Sequence, residues 1–277
     1  MTHASLFSGI GGFDLAAEWA GWTNIFNCEI DPFCRRVLAY HFHNAVQYED
    51  IRTTDFTVWR ERIDVLTGGF PCQPFSCAGK RKGTDDDRYL WPEMLRAIRD
   101  IRPRWVVGEN VRGFVNWSEG MVLDTVFADL EALGYEVRPF VLPACAVGAP
   151  HRRDRVWIVA HRSDAGSESL RERQKQADEH GAAADAARLG LSVPRKTRYG
   201  QRGFANDGRR PGWEDFPTQP PVRSRNDGLL AGLDGITFPA WRRQSIKAYG
   251  NAIVPQVFYQ IAETINEYEQ CGLRGLA

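Results

Sequence analysis

The chain has 277 residues, 43% hydrophobic and 25% charged, an ordinary globular composition with room for one large domain or a main domain and a smaller one. No run of about 18 apolar residues is present to span a membrane, Met1 to Gly12 lacks the basic-then-apolar pattern of a leader, and the six cysteines form no C-x-x-C pair, so a membrane protein, a metal protein and a disulfide scaffold are set aside in favour of a cytoplasmic one. The zero formal charge hides an imbalance: residues 1–50 carry two basic against six acidic residues, and residues 151–225 carry sixteen against ten, so one region could face a polyanion while another does not.

Ser5 to Ser8 reads as a short strand running into Gly9-Ile10-Gly11-Gly12, then a helix from Phe13 to Ala20 that stops at Gly21. Strand, glycine turn and helix open a nucleotide-binding βα unit, although G-I-G-G is not the dinucleotide pattern G-x-G-x-x-G. The next strand, Asn24 to Cys28, ends in Glu29-Ile30-Asp31. A carboxylate at that place can accept from ribose hydroxyls, which suits Glu29. Asp31-Pro32 reads as a cap with proline at the first helical position, followed by a helix to about His43. Asp50-Ile51 follows a third short segment, where a carboxylate could meet an adenine amino group or simply face solvent.

Val65 and Leu66 read as a buried strand that leads into Gly69-Phe70-Pro71-Cys72-Gln73-Pro74. The prolines exclude helix and central strand from this stretch, leaving a rigid loop at the carboxyl end of a strand, where open α/β sheets bind ligands. A cysteine held there is a candidate nucleophile, and a gap-filling thiol is the plain alternative. The stretch 79–88 is glycine-flanked and doubly charged, a loop. A helix from Tyr89 to Ile101 precedes the strand Trp105 to Val111, which carries Glu109. Desolvation would raise that carboxyl's pKa and let it act as an acid near neutral pH. A helix from Met121 to Leu133 and a strand from Tyr135 to Leu142 follow. His151, Arg153 and Arg155 alternate ahead of the apolar strand Val156 to Ala160, so in extended backbone they share one face. Paired arginines there suit an anion or a carbonyl group. Residues 161–240 are rich in Gly, Arg, Asp, Ser and Pro, an irregular small domain or insertion. Order returns in 241–277, with a helix from Trp241 to Ala248, a turn from Tyr249 to Pro255 and a long amphipathic helix from Gln256 to Tyr268.

These segments, in this order, resemble the DNA cytosine carbon-5 methyltransferases of bacteria and phages. Phe7-Ser8-Gly9-Ile10-Gly11-Gly12, Glu29-Ile30-Asp31, Asp50-Ile51, Gly69-Phe70-Pro71-Cys72-Gln73, Glu109-Asn110-Val111, His151-Arg152-Arg153-Asp154-Arg155 and Gly250-Asn251-Ala252-Ile253-Val254-Pro255 carry the likeness over roughly 4–160 and 241–268. Two positions depart from the family pattern: Ser5 stands where Asp is usual, and His151 where Gln is usual.

The resemblance implies an α/β fold: a Rossmann-like S-adenosylmethionine-dependent methyltransferase domain (1–160) with a small irregular target recognition domain (161–240) and a C-terminal segment (241–277) that returns to the first. It implies that Phe7 stacks on the adenine, that the Gly9 to Gly12 turn approaches the amino-acid end of the cofactor, that Glu29 and Ile30 hold the ribose, and that Asp50 and Ile51 meet the adenine. Gly69, Pro71, Leu90, Asn251 and Ile253 would complete that pocket. Catalysis would fall to Cys72, as a thiolate adding to carbon 6 of cytosine, to Glu109 at ring nitrogen 3, and to Arg153 and Arg155 at the carbonyl. The base would be flipped out of double-stranded DNA, with the protein acting as a monomer beside a restriction endonuclease or as an orphan. The alternatives are an RNA cytosine methyltransferase on the same catalytic domain and a non-catalytic DNA- or cofactor-binding module.

Overall fold

The computed structural model describes residues 1–71, 89–162 and 238–274. All of them belong to one compact unit. Its centre is a seven-stranded sheet made of β1 (Thr2–Leu6), β2 (Thr23–Cys28), β3 (Val46–Tyr48), β4 (Val65–Gly68), β5 (Trp105–Val111), β6 (Tyr135–Pro143) and β7 (Asp154–Arg162), in the order β3-β2-β1-β4-β5-β7-β6. The first five are parallel to their neighbours. The strand β7 runs antiparallel to both β5 and β6. The order in which strands are added reverses at β1, with β2 and β3 on one side and β4 and β5 on the other, the place where such sheets open a crevice at their carboxyl ends.

The described residues form six α-helices beside the sheet: α1 (Gly12–Trp19), α2 (Pro32–His41), α3 (Trp91–Ile101), α4 (Met121–Ala132), α5 (Phe238–Asn251) and α6 (Pro255–Arg274). One sheet face, with Leu6, Phe26, Leu66, Val106 and Ile158, packs on Met94 and Ile98 of α3 and Val126 and Leu130 of α4. The other face, with Val65, Val107 and Trp157, packs on Phe13 and Ala17 of α1 and Phe258 and Ala262 of α6. In α3 the buried residues Trp91, Met94, Ala97, Ile98 and Ile101 follow helical spacing, one apolar stripe laid on the sheet. The Phe258 ring meets Phe13 edge-on at 4.9 Å. Burying one such ring contributes roughly 1.5–3 kcal/mol. Trp22 Nε1 donates to Asn266 Oδ1 at 2.8 Å, so the last helix and the first βα unit form one layer.

The Asp31 cap is present: its Oδ1 accepts from the Phe33 amide at 2.9 Å, with Pro32 next in the helix. Three boundaries differ from the sequence expectation. The first strand starts at Thr2 and buries His3, whose ring bonds Asn24 Oδ1 at 2.7 Å and Thr67 Oγ1 at 2.9 Å. Polar residues carry no apolar alternation, so those positions read as non-strand. The helix α5 runs through Gly250 and Asn251, where the sequence suggests a turn. The strand β7 runs from Asp154 to Arg162, two residues longer at each end than the apolar run Val156 to Ala160.

Candidate active site

The loops after β1, β2, β4 and β5 open at one edge of the sheet. Behind β1, Gly11 has φ +85° and precedes α1, and a Cβ there would lie 2.3 Å from the Phe42 ring. Only glycine satisfies both the angle and the contact. A Cβ on Gly12 would lie 2.7 Å from Ile253 Cγ1, so the C-terminal segment rests directly on this turn. Gly9 differs: a Cβ there would meet nothing within 4 Å, so its backbone faces open space. Its amide donates to Glu29 Oε2 at 2.7 Å, and the Asp31 amide donates to Glu29 Oε1 at 2.8 Å. Burial pushes the Glu29 pKa up, and the Asp31 and Gly9 amides pull it back. With one amide on each oxygen, the carboxylate keeps lone pairs for a diol.

Beside it Ile30 is 56% exposed, a bare apolar surface next to a half-buried carboxylate. Phe7 is half-buried with φ +52°. This set fits a nucleoside: an open backbone approach, a carboxylate for a diol, and apolar surface for a ring. Two residues fit less directly. Both oxygens of Asp50 are held by the Arg52 guanidinium, at 2.8 Å for the closest contact, and Arg52 holds the Asp50 pKa below the usual range. The Ile51 side chain is buried in the core, and its carbonyl accepts from Arg96. Ile10 packs beside Phe33 and Ala248, between α2 and α5. Leu90 and Pro71 are half-buried, and Asn251 is exposed at the end of α5.

The reacting side lies one strand over. Behind β4, the Asn110 amide donates to the Phe70 carbonyl at 3.1 Å, while the Phe70 ring sits 5.1 Å from Trp91 and 5.7 Å from Phe114. These contacts fix the chain just before Pro71. Cys72 and the charged loop 79–88 lie outside the described residues, as does 163–237, nearly all of the expected recognition domain. Glu109 of β5 pairs through Oε1 with Arg155 Nε at 2.9 Å. In the antiparallel register Arg155 faces Val111 and Glu109 faces Trp157, so the ion pair is diagonal across two strands. Burial pushes the Glu109 pKa up, and Arg155 followed by Arg153 draws it down. A Cβ on Gly69 would stand 3.4 Å from Glu109 Oε2, so the loop entering Cys72 lies against this carboxyl.

Arg153 departs from the expected shared face. Its φ is +37°, outside the strand region, and β7 starts one residue later. The side chain turns to the C-terminal segment, where Nη2 donates to the Gly250 carbonyl at 3.0 Å and the Ala252 carbonyl at 2.6 Å. Gly69, Glu109 and Arg155 therefore meet, while Arg153 lies beside them with its Nη2 turned to the C-terminal segment. His151 is exposed outside the strand. Asn110 is the positioning residue that single-residue reasoning passed over. Its signal was its place between Glu109 and Val111, read only for the glutamate. Among the described residues no group of His, Cys, Asp or Glu could hold a metal ion, and no helix is long and apolar enough to cross a membrane.

Residues 1–199 match the sequence model of the C-5 cytosine-specific DNA methylases. The Type II methyltransferase M.Eco47II of Escherichia coli is 40% identical over 166 residues, 59% of this chain and 40% of that protein. M.PspPI of Psychrobacter is 36% identical over 199 residues, 69% of this chain and 48% of that protein. M.HhaI of Haemophilus parahaemolyticus is 33% identical over 160 residues, 57% and 48% of the two chains. Among solved structures, a DNA modification methyltransferase encoded within an E. coli prophage superposes with TM-score 0.51 at 26% identity, over 58% of this chain and 47% of that one. A Spodoptera frugiperda DNMT2 variant, at TM-score 0.51 and 23% identity over 60% and 51%, shares the fold. The chain spans about half the length of most of these curated relatives. With more than half of its residues matching the family's sequence model, the chain belongs to the C-5 cytosine-specific DNA methylases.

Proposed function

We propose that this protein methylates carbon 5 of a cytosine flipped out of double-stranded DNA, with S-adenosylmethionine as donor. The observation that carries the reading is the Glu109–Arg155 pair at 2.9 Å, set against the Gly69 turn that leads to Cys72. The Gly9 turn, Glu29, Ile30, Phe7 and Ile253 hold the cofactor, which when bound supplies an electrophilic methyl group to carbon 5. The Cys72 thiolate adds to carbon 6, forming a sulfur–carbon bond and moving the ring's π electrons toward carbon 5. Glu109, whose carboxyl burial pushes toward the protonated form, donates to ring nitrogen 3 as negative charge develops there. Arg155 aims that carboxyl. Its own plane is fixed a second time by Nη1 donating to the Asp154 carbonyl at 2.9 Å. Loss of the carbon-5 proton and expulsion of the Cys72 thiolate restore the aromatic ring.

The segment 161–240 reads the target sequence in this proposal, and its excess of arginine suits a phosphate backbone. The Type II names of the relatives support a place in a restriction-modification system. A cytoplasmic monomer is the working form. Incubation of the protein with S-adenosylmethionine and duplex DNA, then bisulfite sequencing, should show protected cytosines in one short motif. A parallel arm with tRNA separates the RNA rival. Methylation of tRNA alone, or of neither, would reject the DNA reading.

A further inference from the structure

We infer that Arg153 is a positioning residue for the cofactor pocket, a latch that holds the C-terminal segment over the glycine turn. Three independent observations carry this. First, its backbone is left-handed at φ +37°, which disfavours any residue but glycine. Such strain persists only where surrounding contacts over-determine it. Second, one nitrogen of its guanidinium serves two carbonyls, Gly250 at 3.0 Å and Ala252 at 2.6 Å. These lie at the carboxyl end of α5, where the helix leaves carbonyls without amide partners and its dipole end is negative. The helix has no basic residue of its own in its last turn, so Arg153 supplies from another strand the cation that end favours. Third, the residue after Ala252 is Ile253, whose side chain occupies the space beside Gly12.

The contacts form one line: Gly12 against Ile253, Ala252 and Gly250 against Arg153, and Arg153 against the charge of Glu109. Removing the guanidinium would free the segment that roofs the turn while leaving the Glu109–Arg155 pair in place. The inference rests on the proposed cofactor pocket, so cofactor binding is measured without DNA. Arg153→Gly is the informative variant, because glycine accepts φ +37° and deletes only the side chain. Titration calorimetry with S-adenosylmethionine should show wild-type binding, affinity at least tenfold weaker in Arg153→Gly, and an intermediate loss in Arg153→Lys. Amide hydrogen exchange should quicken in 248–256 of Arg153→Gly and stay unchanged in β4 and β5. In turnover, Arg153→Gly should raise the cofactor KM at least tenfold and change kcat at saturation less than threefold. Wild-type affinity and exchange in both variants would overturn the inference alone. Absence of binding by the wild-type protein would overturn it together with the proposed function. Should Arg153→Gly fail to fold, wild-type affinity in Arg153→Lys would overturn it.

Discussion

Two carboxylates largely withdrawn from water, one on each side of the crevice, are handled in opposite ways. On the β1 side, Asp14 is fully buried and bonded by a hydroxyl, with Ser5 Oγ 3.0 Å from both of its oxygens. Among the described residues no cation acts on it, and burial pushes its pKa up to about 7. On the β5 side, Glu109 is mostly buried, and Arg155 pairs with it while Arg153 lies near. The first arrangement braces a turn: Ser5 also bonds Ser8 Oγ at 2.7 Å, and Ser8 bonds the Cys28 carbonyl at 3.2 Å across to β2. In the second, burial and the neighbouring cations act on the carboxyl in opposite directions. Burial alone therefore does not mark a reacting group. The neighbours do.

The largest effect expected on either side is at Cys72. Cys72→Ser should reduce methyl transfer below detection while cofactor binding persists, and DNA carrying 5-fluorocytosine should trap the wild-type protein covalently, since fluorine cannot leave as a proton. Normal turnover in the variant, or no adduct under methylating conditions, would end the covalent mechanism. Next, Glu109→Gln should lower kcat by roughly 10²–10⁴-fold with cofactor affinity unchanged. Single-turnover kinetics would show it, and a fall in affinity with kcat intact would instead make Glu109 a brace like Asp14. On the β1 side, Gly12→Val sets a branched side chain where Ile253 already stands. Overpacking of this kind costs about 1–3 kcal/mol, readable as a lower urea midpoint and weaker cofactor binding, and an unchanged midpoint would mean that the C-terminal segment yields freely.

The smallest effect is a pH profile. Asp14 keeps its proton in the folded chain from pH 3.8 to about 7, so its contribution is full at low pH and is lost as pH rises through that window. His3 does the reverse: burial lowers its pKa from 6.5 to about 4, so its contribution is lost as pH falls across that range. Each slope approaches about 1.4 kcal/mol per pH unit, and between pH 4 and 6.5 they oppose one another. Asp14→Asn should expose the His3 slope, with stability falling as pH drops below 6.5 in urea titrations. A flat profile in the variant would show that the two groups are not balanced against each other.

Much of this contrast was legible before any coordinates. Val65-Leu66 and Val156 to Ala160 announce buried strands by composition, and Asp31-Pro32 announces a cap by its chemistry. Glu29 followed from its place after the second strand. Other features depended on partners distant in sequence. Arg153 is a left-handed residue because carbonyls 97 and 99 positions later hold its side chain, and no local pattern in Arg152-Arg153-Asp154-Arg155 encodes that. Gly250 sits inside a helix although its propensity argues for a break, because tertiary contacts override a cost of about 1 kcal/mol. His3 is a strand residue because Asn24 and Thr67 satisfy its ring, a compensation that lies outside any short window.

The reversed direction of β7 has a consequence for how this protein can change. Its first residues face the carboxyl end of β5, and its last, Arg162, lies at the other rim, where its amide donates to the Arg104 carbonyl. The strand carries the chain roughly 20 Å from the reacting groups before anything else begins. The chain comes back through α5, whose last turn is tied to Arg153. The pairing of β5 with β7 is complete by Arg162, so it does not depend on the length of the stretch that follows. Glu109 and Arg155 are held in a register that closes within residues 105–162, and changes elsewhere in the chain leave that register as it is.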